Sequence, residues 1–234
     1  MIKKYVKRLL RYDGLSETVR IRAGIDALRR PGWPYCPPDE GDLLHTLAKA
    51  MPHEDALEVG FATGSTALFI LSGLGTGRLT SIDNAPDHYD RQGLALVASL
   101  GFSERHKLLE EDSILALPDL LRRGARYGLI FLDGWKTFDH VWVDSFYAAK
   151  LLKVGGHLVL DDARMPAVRK CIDILRGYYE FEDVDAYPLA GGIKQRAYDL
   201  LTGRSFLRPY VVLRKTKEIA ETEAGKSYSF WRPI

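Results

Sequence analysis

Ala56-Leu57-Glu58-Val59-Gly60-Phe61-Ala62-Thr63-Gly64-Ser65 reads as a short apolar strand, a glycine turn and the first residue of a helix. The glycines let the main chain approach a ligand closely, and the helix start offers free N–H groups. The turn lacks the dinucleotide spacing G-x-G-x-x-G, because Ala62 and Ser65 occupy the second and third glycine positions. No phosphate-loop Gly-Lys-Ser/Thr follows it. Working outward, the same alternation of short apolar runs and longer amphipathic ones recurs. Strands are expected at 56–59, 79–82, 107–109, 129–132 and 157–160. Helices are expected at 65–74, 86–100, 114–123 and 138–153. Five strands alternating with four helices predict a parallel sheet covered on both faces. A further helix to about Gly177 and two late strands, near 179–186 and 209–213, complete the pattern.

Ligands in such sheets bind beyond the carboxyl ends of the strands. Here those ends carry Gly60 to Ser65, then Asp83-Asn84, then Glu110 to Ser113, then Asp133-Gly134-Trp135-Lys136, then Asp161-Asp162. Asp83 stands 23 residues after Gly60, which is the spacing of an acid that hydrogen-bonds a ribose diol. Asp112 and Ser113 would then lie beside the base of the nucleoside.

This ordered set resembles the class I S-adenosylmethionine-dependent methyltransferases, over about residues 39–176. The segment Asp133-Gly134-Trp135-Lys136 resembles the Asp-x-Trp-Lys segment of catechol O-methyltransferase and its bacterial relatives. The resemblance implies a three-layer α/β/α Rossmann-like sheet, mostly parallel, with a reversed last strand. It implies S-adenosylmethionine as cofactor, held by Glu58, Gly60, Phe61, Gly64, Ser65, Asp83, Asn84, Asp112, Ser113, Asp133 and Trp135. It also implies a magnesium ion on Asp133, Asp161 and Asp162, with Lys136 as base. Asp162 departs from the catechol enzyme, which has Asn there, so this site carries one more negative charge.

The carboxylates support the same reading on physical grounds. Neighbouring strands lie about 5 Å apart, so Asp133, Asp161 and Asp162 converge on one rim if the fourth and fifth strands pair. Clustered carboxylates repel, and need a cation or raised pKa values to coexist. Oxygen-only ligands suit magnesium or calcium. A cation there would acidify a bound hydroxyl, and Lys136 beside it could take the proton. His140, one helical turn on, is the competing base, whereas His157 lies inside a strand and is read as structural. Trp33, Tyr35, Trp135, Met165 and the loop 189–196 are the candidate walls of an acceptor pocket.

Composition excludes other classes. The chain has 234 residues with 46% hydrophobic and 27% charged, which suits one large globular domain and not a disordered chain. A net charge of +2 gives no reason to expect nucleic acid. Two cysteines, Cys36 and Cys171, cannot form a disulfide framework and fit a reducing cytoplasm. No apolar run approaches membrane-span length, and no signal-peptide core is present. Residues 1–30 carry nine Lys or Arg against three acids, net +6. Tyr5, Val6, Leu9 and Leu10 recur there at helical spacing, so this arm is expected to pack on the domain or on a second copy in a homodimer.

Four prolines between Pro31 and Pro38 mark a joint, and a helix capped by Asp39 follows, with Leu43, Leu44, Leu47 and Ala48 on its apolar face. The expected organisation is therefore an arm and joint over 1–38, a methyltransferase domain over 39–214, and a tail over 215–234. The expected function is methyl transfer to a hydroxyl of a small-molecule acceptor. A metal-independent enzyme of the same fold and a non-catalytic nucleoside-binding module remain alternatives. A nicotinamide-dependent dehydrogenase is disfavoured by the missing third glycine and the triple-aspartate rim.

Overall fold

A computed structural model describes residues 13–179, 181–184 and 209–219. In chain order the elements begin with α1 (Asp13–Leu28), α2 (Pro38–Lys49), β1 (Ala56–Val59), α3 (Ser65–Gly73) and β2 (Leu79–Ile82). They continue with α4 (Gln92–Ser99), β3 (His106–Leu109), α5 (Ser113–Arg122), β4 (Tyr127–Leu132) and α6 (Phe138–Leu151). The last are β5 (Leu152–Leu160), α7 (Pro166–Gly177), β6 (Glu182–Asp183) and β7 (Val211–Arg214).

Seven strands form one sheet in the order β3-β2-β1-β4-β5-β7-β6. The five from β3 to β5 are parallel, and β7 runs antiparallel to both β5 and β6. The sheet is thus mostly parallel with a reversed strand, as expected. The strand order reverses between β1 and β4, which places the ligand crevice of an open α/β sheet at their carboxyl ends.

The register decides what meets in that crevice. Leu109, Ile82, Val59, Leu132 and Leu160 are paired across the five parallel strands. The next residue on each is Glu110, Asp83, Gly60, Asp133 and Asp161. These five stand in one row along the rim, at a strand spacing of about 4.8 Å.

Alternation along the strands divides the core in two. Ala56, Leu129, Phe131 and Val159 pack with Ile21, Leu44, Leu68 and Phe69 of α1, α2 and α3. Leu57, Val59, Ile130, Leu132 and Leu158 pack with Leu117, Ala148, Leu151 and Ile172 of α5, α6 and α7. Every residue of β4 is buried, which is why this strand reads as a continuous apolar run and does not alternate.

Several boundaries differ from the sequence expectation. The helix expected over 86–100 is a 3₁₀ turn, Pro86–Tyr89, followed by α4. Left-handed Asp90 (φ 49°) and Arg91 (φ 54°) break it. Asp39 does not cap α2; Pro37 is the N-cap and Pro38 the first helical residue, while Asp39 and Glu40 lie in the first turn. There their charges complement the helix dipole. Helix α6 ends at Leu151 and β5 begins at Leu152, five residues before His157. Lys215, placed in the tail by sequence, is 1% exposed, and its N–H bonds Gly156 O, so the sheet extends past 214.

Tyr5, Val6, Leu9 and Leu10 lie outside the described residues, as do 189–196 and 220–234. The described part of the arm packs on the domain through Ile21 and Ile25. Among the described residues no helix is long and apolar enough to cross a membrane.

Candidate active site

The glycine turn is held from below and from the side. Gly60 has φ +92°, and a Cβ there would lie 2.3 Å from Asp133 O. Glycine is therefore required where β1 and β4 diverge. Gly64 (φ +73°) is nearly as tightly placed, since a Cβ there would lie 2.6 Å from Gly93 Cα. Asp83 staples the turn: its Oδ2 accepts from Phe61 N at 3.0 Å and Ala62 N at 2.8 Å, and its Oδ1 accepts from Ala85 N at 2.8 Å. A carboxylate offers about four lone-pair sites, so one is left for a ligand hydroxyl.

Beside this turn opens a cleft of about 740 Å³, including its mouth. Gly60, Asp83, Asn84, Asp112, Ser113, Asp133, Trp135 and His140 line it, all of them candidates from sequence. Asn84 donates from Nδ2 to Asp112 Oδ2 at 3.2 Å, and Asp112 caps α5 by accepting from Ile114 N at 3.0 Å. These bonds fix the far end of the cleft. Trp135 is 67% exposed at its mouth. Six lining residues were not assigned to the site from sequence: Val59, Ala62, Ile82, Tyr89, Glu111 and Gly134, of which Ala62, Glu111 and Gly134 belong to the strand-end segments. Tyr89 comes from the 3₁₀ turn and packs edge-on to Trp33, with ring centroids 5.5 Å apart.

Four sequence candidates stand behind the cleft and not on its wall. Glu58 points to the α3 side of the sheet, where it is fully buried and accepts from Ser81 Oγ at 2.6 Å and from Thr66 Oγ1. Burial pushes its pKa up to about 8, against the opposing pull of those two hydroxyls. Phe61 is 2% exposed and stacks on His106 at 4.9 Å. Gly64 caps α3, and Ser65 Oγ accepts from Cys36 N at 2.8 Å, tying the proline-rich joint to the turn. These residues shape the turn's backbone.

Next to the cleft, Asp133, Asp161 and Asp162 each bring a carboxylate oxygen within 4.8 Å of the others. Asp162 adopts φ 52°, a left-handed conformation that Asp tolerates better than most residues. Burial pushes both Asp133 and Asp161 above the usual carboxylate range; Asp133 raises Asp161 further, and the charge of Asp162 raises both. Lys136 Nζ lies 2.6 Å from Asp133 Oδ1 and 3.5 Å from Asp162 Oδ2. Burial works to lower the pKa of Lys136, but Asp133, Asp161 and Asp162 outweigh it and hold the ammonium. Lys136 is thus placed as counter-ion to the trio.

His140 reaches the cleft from the start of α6, its Nδ1 2.9 Å from Thr137 Oγ1. Of the expected acceptor walls, Trp135 and Met165 are exposed, whereas Tyr35 is committed to Arg30 N and Gln92 Oε1. His157 is paired within β5, and burial lowers its pKa.

The donor set fits a hard dication: three oxygens converge, and their mutual repulsion is only partly met by Lys136. The residues that would hold such an ion are Asp133, Asp161 and Asp162.

Comparison with known proteins bears on this arrangement. Residues 57–163 match a family model described as a methyltransferase domain. A candidate caffeoyl-CoA O-methyltransferase of Arabidopsis thaliana is 29% identical over 127 residues, which is 54% of this chain and 53% of that protein. A candidate O-methyltransferase of Mycobacterium sp. (strain JLS) is 32% identical over 130 residues, 55% of this chain and 57% of that one. The matched segment thus spans little more than half of these relatives. Among solved structures, an O-methyltransferase from Bacillus cereus in complex with S-adenosylhomocysteine (SAH) superposes with a TM-score of 0.61. It is 15% identical and covers 72% of this chain and 82% of its own. At that identity the likeness shows a shared fold. Residues 57–163 are thus similar to a methyltransferase domain, and the two O-methyltransferase relatives match over little more than half of this chain.

Proposed function

We propose that this chain carries a class I methyltransferase domain that transfers the methyl group of S-adenosylmethionine to a hydroxyl of a small-molecule acceptor, assisted by a divalent cation. The carrying observation is the position of Asp133. It lines the nucleoside-sized cleft and is also a member of the acidic trio. A cofactor in the cleft and an acceptor at the trio would therefore meet across one residue.

In this reading Asp83 gives its free lone pair to a ribose hydroxyl, and Asp112 and Ser113 flank the base. The cation, when bound, supplies charge that acidifies the acceptor hydroxyl. The same charge would lower the pKa of Lys136, whose ammonium must first release a proton to solvent before its Nζ can take the hydroxyl proton, and His140 stands as the second candidate base. Trp135 and Met165, both exposed beside the site, present apolar surface to the acceptor. Alignment of acceptor oxygen, methyl carbon and sulfur is the main remaining demand of the reaction.

One observation favours a metal-independent variant. Lys136 already bridges Asp133 and Asp162 and offsets part of their charge without an ion. Labelled methyl transfer to a panel of phenols, sugars and hydroxy acids, run with magnesium and with a chelator, separates the two. SAH calorimetry on the same protein separates either from a non-catalytic module.

A further inference from the structure

Glu40 is the least explained charge in the domain. It lies in the first turn of α2 at 4% exposure, and its Oε1 is fully buried with no hydrogen-bond partner. Orphaned buried carboxylate oxygens are rare, because an uncompensated buried charge is costly. Burial first, then the nearby Asp161, Asp133 and Asp39, push its pKa up to about 9, with Lys136 acting in the opposite sense. Two members of the trio are thus close enough to act on it, although it stands on a different element, α2. It stands outside the group whose oxygens lie within 4.8 Å of one another, so its place is on the periphery of the trio and not at its centre.

We propose that Glu40 is a fourth carboxylate of the cation site, facing the ion's ligand shell from α2 and strengthening the site's hold on a hard dication. This inference rests on the reading that a dication seats on Asp133, Asp161 and Asp162. A bound cation would offset the like-charge repulsion that Asp133 and Asp161 place on it. Carboxylates that support a metal site from outside its direct ligands typically affect affinity by about 10–100-fold when removed.

The test is a calorimetric titration of Mn2+ into the full chain, for wild type, Glu40→Gln, Glu40→Asp and Asp161→Asn, with SAH titrated into each as a control for folding. Glu40→Gln should weaken Mn2+ by about 10-fold or more, Glu40→Asp should retain most of the affinity because it keeps the charge, and SAH affinity should be unchanged. Thermal melts add an independent readout. The Tm increase that Mg2+ gives wild type should be smaller in Glu40→Gln, whereas a purely structural role would shift Tm equally with and without the ion. Wild-type Mn2+ affinity retained in Glu40→Gln overturns this inference alone. Failure of the wild type itself to bind Mn2+ overturns the cation reading and this inference with it.

Discussion

Lys136 Nζ donates to Asp133 Oδ1 at 2.6 Å, on the residue that also lines the cofactor cleft. The same lysine is 3.5 Å from Asp162. If the proposed cation binds, this site has two states, one with the ammonium among the carboxylates and one with a cation in its place. Replacing Lys136 by Met removes the competitor as well as the base. The variant should bind Mn2+ more tightly than wild type, while its turnover at neutral pH falls by about 10²–10⁴-fold and recovers partly at higher pH, where the acceptor ionises unaided. Titration of Mn2+ and a pH–rate profile check both halves. A variant with full activity at neutral pH would remove Lys136 from the proton-accepting role.

Asp83 carries two loads, since it staples Phe61 N and Ala62 N and has one lone pair left for a ribose. Asp83→Ala should weaken SAH by about 2 kcal/mol or more, roughly 30-fold in Kd. Asp83→Asn keeps an acceptor for the turn and should lose less. Calorimetry with SAH measures both. Equal affinity in folded Asp83→Ala and wild type would sink the ribose assignment.

Gly60 leaves no room for a side chain, because a Cβ would sit 2.3 Å from Asp133 O. Gly60→Ala must also hold φ +92°. The strain should cost about 1–3 kcal/mol and push β1 and β4 apart at the crevice. Denaturant unfolding should show the loss, and SAH binding should fall with it. A variant as stable as wild type that still binds SAH would mean the turn is not in this conformation.

Glu58 predicts a pH dependence. Its pKa rises from 4.5 to about 8 on folding, chiefly through burial. The folded state therefore holds this proton more tightly than the unfolded chain. The resulting stabilisation is complete below the unfolded value and is lost as pH rises through about 8. Wild type should melt higher at pH 5 than at pH 8.5 by a margin that shrinks in Glu58→Gln. An identical slope in both proteins would show that Glu58 is ionised throughout.

The sheet was largely legible from residues alone, and for a physical reason. Strands buried on both faces are short apolar runs, so β1 and β2 were read at their true limits. The 86–100 helix was not, because it breaks at left-handed Asp90 and Arg91, and Arg91 pairs with Glu110 beyond the end of β3, a tertiary contact that periodicity does not encode. The rim row of Asp83, Asp133 and Asp161 was visible because each follows an apolar run. Glu58, Phe61 and Ser65 were assigned to the cofactor by motif, but alternation turns Glu58 to the α3 side of the sheet. Its neighbours Leu57 and Val59 pack on the other side.

Glu40 left a signal that went unread. It falls in step with Leu43, Leu44 and Leu47, so a carboxylate occupies the buried stripe of α2. An acid on an apolar face is a stronger pointer to a site than one in a charged run. Tyr89 left none, since it reaches the cleft from a short 3₁₀ turn.

The central claim is most directly tested by transfer of labelled methyl from S-adenosylmethionine to a panel of hydroxyl acceptors, measured with Mg2+, with a chelator, and in Asp161→Asn. The account predicts transfer with Mg2+ that collapses in the chelator and in Asp161→Asn, while SAH affinity stays near wild type in both. Full turnover in the chelator together with a silent Asp161→Asn would contradict it.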